Sequence, residues 1–177
     1  MTHSPNPEPL LVSFFNQPTL TIAEQLLSCQ LCRQIGDRVI AHTIVETEAY
    51  DGPDDKASHA HRGRTPRSEI MFGQAGIWYI YLCYGVHWLL NIVTGPVDYP
   101  AAVLIRGIEP VQGPGRLTKS LDINGSFNQL PANTQTGLWI AQGPTCPKTQ
   151  ISTTPRIGVA YAGPDWSQRP YRYLRSN

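Results

Sequence analysis

Short runs of β-branched and aromatic residues, each closed by turn-forming residues, follow one another along most of this chain. Cys29 to Ile35 and Arg38 to Tyr50 flank the turn pair Gly36-Asp37, while Gly76 to Cys83 and Val86 to Thr94 flank Tyr84-Gly85. Ala101 to Ile108, Leu138 to Ala141 and Ile157 to Tyr161 add further strand-like runs. Such side chains favour a pleated, half-buried surface. Helical signals are few and brief. Thr21-Ile-Ala-Glu24 has capping-box spacing ahead of Leu26 and Leu27, and Leu117 to Ile123 reads as a second short helix. Strands dominate without βαβ alternation, which points to an antiparallel or mixed sheet. The expectation is an α+β fold: one curved, roll-like, mostly antiparallel or mixed β-sheet with a few short helices and a protruding β-hairpin. With 177 residues, 16 of them proline and 15 glycine, the chain suits a single turn-rich domain. Residues 1–10 are expected to be a disordered lead, and 11–177 the domain.

The formal charge of +1 provides no general attraction to a polyanion, so a nucleic-acid surface would have to be a local concentration of basic side chains. Eleven arginines against three lysines suit forked recognition of phosphate or carboxylate. The start, MTHSPNPEPL, has neither the basic and apolar regions of a signal peptide nor the pattern of a transit peptide. No run approaches the eighteen or so apolar residues of a membrane span. A soluble, non-secreted protein without a membrane partner is expected, cytoplasmic or, in a eukaryote, nuclear. Cys29, Cys32, Cys83 and Cys146 include one C-x-x-C without the second ligand pair of a zinc site, so reduced structural thiols are expected.

Chemistry gathers at the end of the long second strand. Glu46, Glu48 and Tyr50 lie two residues apart and project from one strand face. Paired carboxylates at that spacing can hold a water for acid/base attack or simply pair with arginine; spacing alone does not choose between them, nor between the two glutamates. The polar segment 51–68 follows, with His59, His61, Arg62, Arg64 and Arg67 in nine residues, a cluster suited to phosphate. His59-Ala-His61 near Asp54 and Asp55 offers a poor metal geometry, and neither a metal nor a cofactor is expected. Tyr79 and Tyr81 share a strand face on which a flat base could stack. Tyr84, at a hairpin tip, is placed to enter the gap left by a displaced nucleotide.

The stretch VETEAYDGPDDKASHAHRGRTPRSEIMFGQAGIWYIYLCYGVHWLLNIV, followed in order by AAVLIRGIEP, GPGRL and RIGVAYAG, resembles the 3-methyladenine (alkyladenine) DNA glycosylase family from about Thr21 to Tyr173. The resemblance implies a monofunctional base-excision repair enzyme. Such an enzyme flips alkylated or deaminated purines out of double-stranded DNA and hydrolyses the N-glycosidic bond, leaving an abasic site. It implies Glu48 as the base that activates water, with Arg106 helping to hold the water and nearby phosphate and the main-chain carbonyl at Ile157 also contacting that water. Tyr50, His59, Tyr81 and Asn91 would enclose the flipped base, with Asn91 crowding guanine, and Tyr84 would be the wedge. Arg62, Arg64, Arg67, Arg116 and Lys119 complete the expected DNA-binding set on a protein acting as a monomer. A non-catalytic binding module of the same fold would not need Glu48. A lyase would need an amine nucleophile, for which Lys119 is the lysine near the later motifs.

Overall fold

A computed structural model of the chain describes residues 6–176. The long second strand organises it. β1 (Gln30–Ile35) and β2 (Arg38–Asp51) form the expected hairpin, registered from Gln30↔Thr43 to Ile35↔Arg38. β2 then outruns β1, and its second half pairs with β5 (Ala101–Ile108). β3 (Trp78–Cys83) and β4 (His87–Val93) form the second hairpin, β6 is Leu138–Ala141, β7 Ile151–Thr154 and β8 Arg172–Arg175. The order β3-β4-β5-β2-β1-β6, with β8 joined to β2 and β7, gives an eight-stranded sheet in which every named pair is antiparallel.

Three short helices contribute side chains to the main core, and a fourth packs near Tyr50 and Ala57 instead. They are α1 (Val12–Phe15), α2 (Thr19–Gln25), α3 (Pro114–Ser120) and α4 (Gly163–Trp166). Ile22 and Ala23 of α2, with Leu26 after it, are buried in one cluster with Ile44, Trp78, Leu90 and Ile105. Each large side chain so buried contributes about 1.5–3 kcal/mol. The Thr47 hydroxyl donates to the Ala23 carbonyl at 2.7 Å, which pins α2 to β2 and leaves Glu46 and Glu48 for the opposite face. α3 lies against β4: a Cβ at Gly115 would meet the His87 ring at 2.8–2.9 Å, so glycine is what permits that approach. No helix among the described residues is long and apolar enough to cross a membrane.

Several expectations need correction. α2 begins at Thr19 behind Pro18, with no side-chain cap, so Thr21 lies inside the helix and the expected capping box does not form. The proline ring already sets the entry φ, at −54°. The segment Ile157 to Tyr161 is not a strand but a turn leading into a 3-10 helix, Ala160–Ala162. Gly158 and Gly163, at φ +75° and +83°, break the extended path. The last sheet pair is instead β7 with β8. Of the expected disordered lead, residues 1–5 lie outside the described residues. Residues 7–10 run beside β6, where Pro9 bridges Ala141, the Leu10 amide donates to Ile140 and the Trp139 indole donates to the Pro7 carbonyl. These bonds satisfy an edge strand that would otherwise present unpaired backbone groups.

Candidate active site

Glu46 and Glu48 reach one face as expected, but a double irregularity in the ladder separates their partners. Ile44 pairs Ile108, Glu46 pairs Gly107 and Thr47 pairs Ile105, so Val45 on β2 and Arg106 on β5 are extra, unpaired residues. A bulge of this kind re-aims a side chain, and Arg106 lies between the two carboxylates. Its Nε donates to Glu46 Oε1 at 2.9 Å and lies 3.5 Å from Glu48 Oε1. Arg172 of β8 also donates to Glu46 Oε1, at 2.7 Å, so Glu46 is held by two guanidinium groups.

Glu48 is placed differently. Its side chain is fully buried; Oε2 accepts from the Tyr50 hydroxyl at 2.9 Å and Oε1 from the Ile157 amide at 2.8 Å. Burial pushes its pKa above the usual carboxylate range, outweighing the opposing pull of Arg106, the Ile157 amide and Tyr50. The main chain at Ile157 thus meets the carboxylate through its N–H.

Beside it opens a small, partly open cavity lined by Tyr50, Ala57, Ser58, His59, Met71, Tyr79, Tyr81, Asn91, Ala102 and Tyr161. All four side chains expected to enclose a base line it, with Tyr50 linking it to Glu48. The His59 and Tyr81 rings meet edge to face with centroids 4.7 Å apart, and Tyr79 is 5.2 Å from Tyr81. His59 Nδ1 lies 2.7 Å from the Tyr79 hydroxyl. Burial lowers the His59 pKa to about 4, with Arg67 adding to the effect, so the ring is neutral at physiological pH. Asn91 is buried and its Nδ2 donates to the Tyr79 carbonyl at 3.0 Å, leaving its carbonyl oxygen as the group available to the cavity.

The basic residues divide. Arg62 is exposed on the 3-10 helix His59–Arg62, and Arg67 lies 4.7 Å over the Tyr81 ring. Arg116 and Lys119 are exposed on α3, behind the β3–β4 hairpin. Arg64, by contrast, is taken up by acidic neighbours, paired with Glu69 at 2.6 Å and with Asp98 of the β4–β5 connection, and stacked 4.3 Å over Phe72. Tyr84 is 93% exposed at φ +51°, followed by Gly85 at +68°, a tight turn in which two successive residues are left-handed. Sequence reasoning gave Arg156 and Tyr161 no role and weighed Asp55 only as part of a poor metal geometry. Their partners lie about a hundred residues away in the chain, a separation at which spacing carries no signal. Cys29 and Cys32 are free and buried, and burial raises both thiols to about 11.

The family model for Methylpurine-DNA glycosylase (MPG) matches residues 13–113 and 111–177. Among curated relatives, proteins named "Putative 3-methyladenine DNA glycosylase" occur in Myxococcus xanthus, Anaeromyxobacter dehalogenans and Methanocella arvoryzae. The first is 43% identical over 90% of this chain and 86% of its own length; the second is 44% identical over 91% and 80%. The third is 41% identical over 93% and 90%. The matches run through β2, the cavity loop, both strands of the exposed hairpin and the turn after β7. This chain belongs to the methylpurine-DNA glycosylase family.

Proposed function

We propose that the protein is a monofunctional DNA glycosylase that takes an alkylated or deaminated purine into the aromatic cavity and hydrolyses its N-glycosidic bond with a water activated by Glu48. The observation that carries this reading is the fully buried Glu48 carboxylate, joined through the Tyr50 hydroxyl to a cavity walled by tyrosines and a neutral histidine. A carboxylate has about four acceptor positions. Tyr50 and Ile157 take two and Arg106 lies near a third, so one remains for a water. Deprotonating that water and stabilising positive charge developing on the sugar both call for an ionised, desolvated carboxylate.

A purine alkylated on the ring carries positive charge and leaves without much acid help. The π faces of Tyr50, Tyr79 and Tyr81 attract a cation, and a neutral His59 does not repel it. Stacking offsets part of the few kcal/mol needed to extrude the nucleotide, at about 1–3 kcal/mol per base. Tyr84, projecting from the hairpin, fills the vacated place in the stack. Arg62, Arg67, Arg116 and Lys119 supply phosphate contacts around it.

The test is base release from duplexes that each carry one 3-methyladenine, 7-methylguanine, hypoxanthine or ethenoadenine. The expected result is free base with an intact strand bearing an abasic site. Tight lesion binding without release would instead support a binding module. Strand cleavage with a borohydride-trapped adduct would support a lyase.

A further inference from the structure

The turn that brings the Ile157 amide to Glu48 has no regular pairing of its own. Arg156, the residue before it, holds it in place. Arg156 is 5% exposed. Its two terminal nitrogens form a parallel pair of bonds with Asp55, at 2.6 and 2.9 Å, and the side chains of both residues are fully buried. The same nitrogens donate to the Ala49 carbonyl of β2 at 2.9 Å and the Trp166 carbonyl of α4 at 3.3 Å. The guanidinium lies 4.8 Å over the Tyr50 ring and 5.2 Å from that of Tyr171. Asp55 in turn accepts from the Asp51 and Ala57 amides, each at 3.0 Å, which fixes the start of the cavity loop. Four residues after Ile157, the Tyr161 hydroxyl donates to the Ala57 carbonyl at 2.7 Å. One ion pair therefore ties together the end of β2, the cavity loop and the turn after β7.

We infer that the Arg156–Asp55 pair is a positioning device for the base, holding the Ile157 amide against Glu48 and the Ala57–Tyr161 wall against the cavity. This rests on the reading of Glu48 as the general base. A buried ion pair contributes little net stability, because desolvation offsets its attraction; what it fixes here is geometry. The groups facing Glu48 are Glu46 and Tyr50 from β2, Arg106 from β5, and the Ile157 amide, with Arg156 and Tyr161, from the segment after β7. Of these, the amide is the one whose place depends on the turn. Its bond favours the ionised carboxylate, so its loss raises the Glu48 pKa further and moves the acidic limb of the rate to higher pH.

Two measurements test this. In the first, amide hydrogen exchange is followed in the unmodified protein: the Ile157 N–H should be protected as strongly as sheet amides although the residue is 49% exposed. Exchange as fast as in an exposed loop would overturn the proposal. In the second, single-turnover base release is measured against pH for Arg156→Lys, for the double variant Asp55→Asn/Arg156→Met, which leaves no unpaired charge, and for Leu31→Ala, a core change between β1 and β6. Displacement of the acidic limb by about one pH unit, a roughly ten-fold slowing on that limb that fades toward high pH, is expected for the first two. Leu31→Ala should lower release by the same factor at every pH. Arg156→Lys retains the charge, so a shift there reflects geometry and not a lost cation. An unmoved limb in either folded Arg156 variant would refute the inference. If Glu48→Gln itself still released base, the assignment of the base would fail, and this inference with it.

Discussion

Glu48 carries a tension between stability and use. Its folded pKa is raised, so protonation is favoured more in the folded than in the unfolded chain. The stability contribution is therefore complete below the unfolded carboxylate pKa and is lost as pH rises through the folded value. Once ionised, the buried group contributes less stability than when protonated, and Glu48→Gln, whose one carbonyl oxygen can accept from the Ile157 amide while its NH2 donates to the Tyr50 hydroxyl oxygen, should melt at a higher temperature than the unmodified protein. A lower melting temperature by calorimetry at pH 7 would show that the carboxylate's bonds outweigh its burial. Asn91 is poised between two roles. Its Nδ2 stitches the β3–β4 hairpin while its carbonyl oxygen is left to the cavity. Asn91→Ser should lose about 0.5–1.5 kcal/mol of stability with that bond and should also lower the ratio of hypoxanthine to guanine release, since the vacated space admits the guanine amino group. A stability loss with an unchanged ratio would leave Asn91 as hairpin bracing alone. At this scale the strand spacing placed the two glutamates on one face without separating them, and only the family resemblance chose Glu48. What separates them are partners remote in the chain, Arg172 for Glu46 and Ile157 for Glu48.

The exposed hairpin is the element on which the DNA-facing reading turns. Tyr84 occupies a left-handed position that costs a residue with a Cβ about 1–2 kcal/mol, and its ring lies 93% in solvent. The conformation closes the hairpin turn, but nothing in the fold calls for a large exposed ring there. Tyr84→Ala should weaken binding to lesion-containing duplex while stability stays within about 0.5 kcal/mol, as for other exposed positions. A drop of about 3–5 kcal/mol in unfolding free energy would mark a packed ring instead. Elements with marked β-branched or apolar runs were legible from sequence: β5 and β6 occupy the ranges that those runs define, and β1 through β4 differ from them by a residue or two. β7 and β8 were not: β8 pairs with β2 and β7 only with β8, while Ile157 to Tyr161 has strand-like residues but is bent by two glycines and anchored by Arg156.

For the whole molecule, a net charge of +1 means that DNA affinity must come from a local footprint. Arg62, Arg67, Arg116 and Lys119 make up the proposed footprint, while Arg64 braces the loop that carries Arg62 and Arg67. Replacing Arg62 or Lys119 with alanine should reduce the salt slope of binding by about one unit each. Arg64→Ala should lower the melting temperature and leave the slope nearly unchanged. If Arg64→Ala lost as much slope as the others, Arg64 would rejoin the footprint. Single-turnover release of a damaged purine by Glu48→Gln and Glu46→Gln, with lesion-DNA affinity measured alongside, tests most sharply whether Glu48 is the base. Glu48→Gln should abolish release with affinity nearly intact, and Glu46→Gln, which only loosens Arg106 and Arg172, should slow release by about ten-fold or less. An inactive Glu46→Gln beside an active Glu48→Gln would contradict the assignment of Glu48.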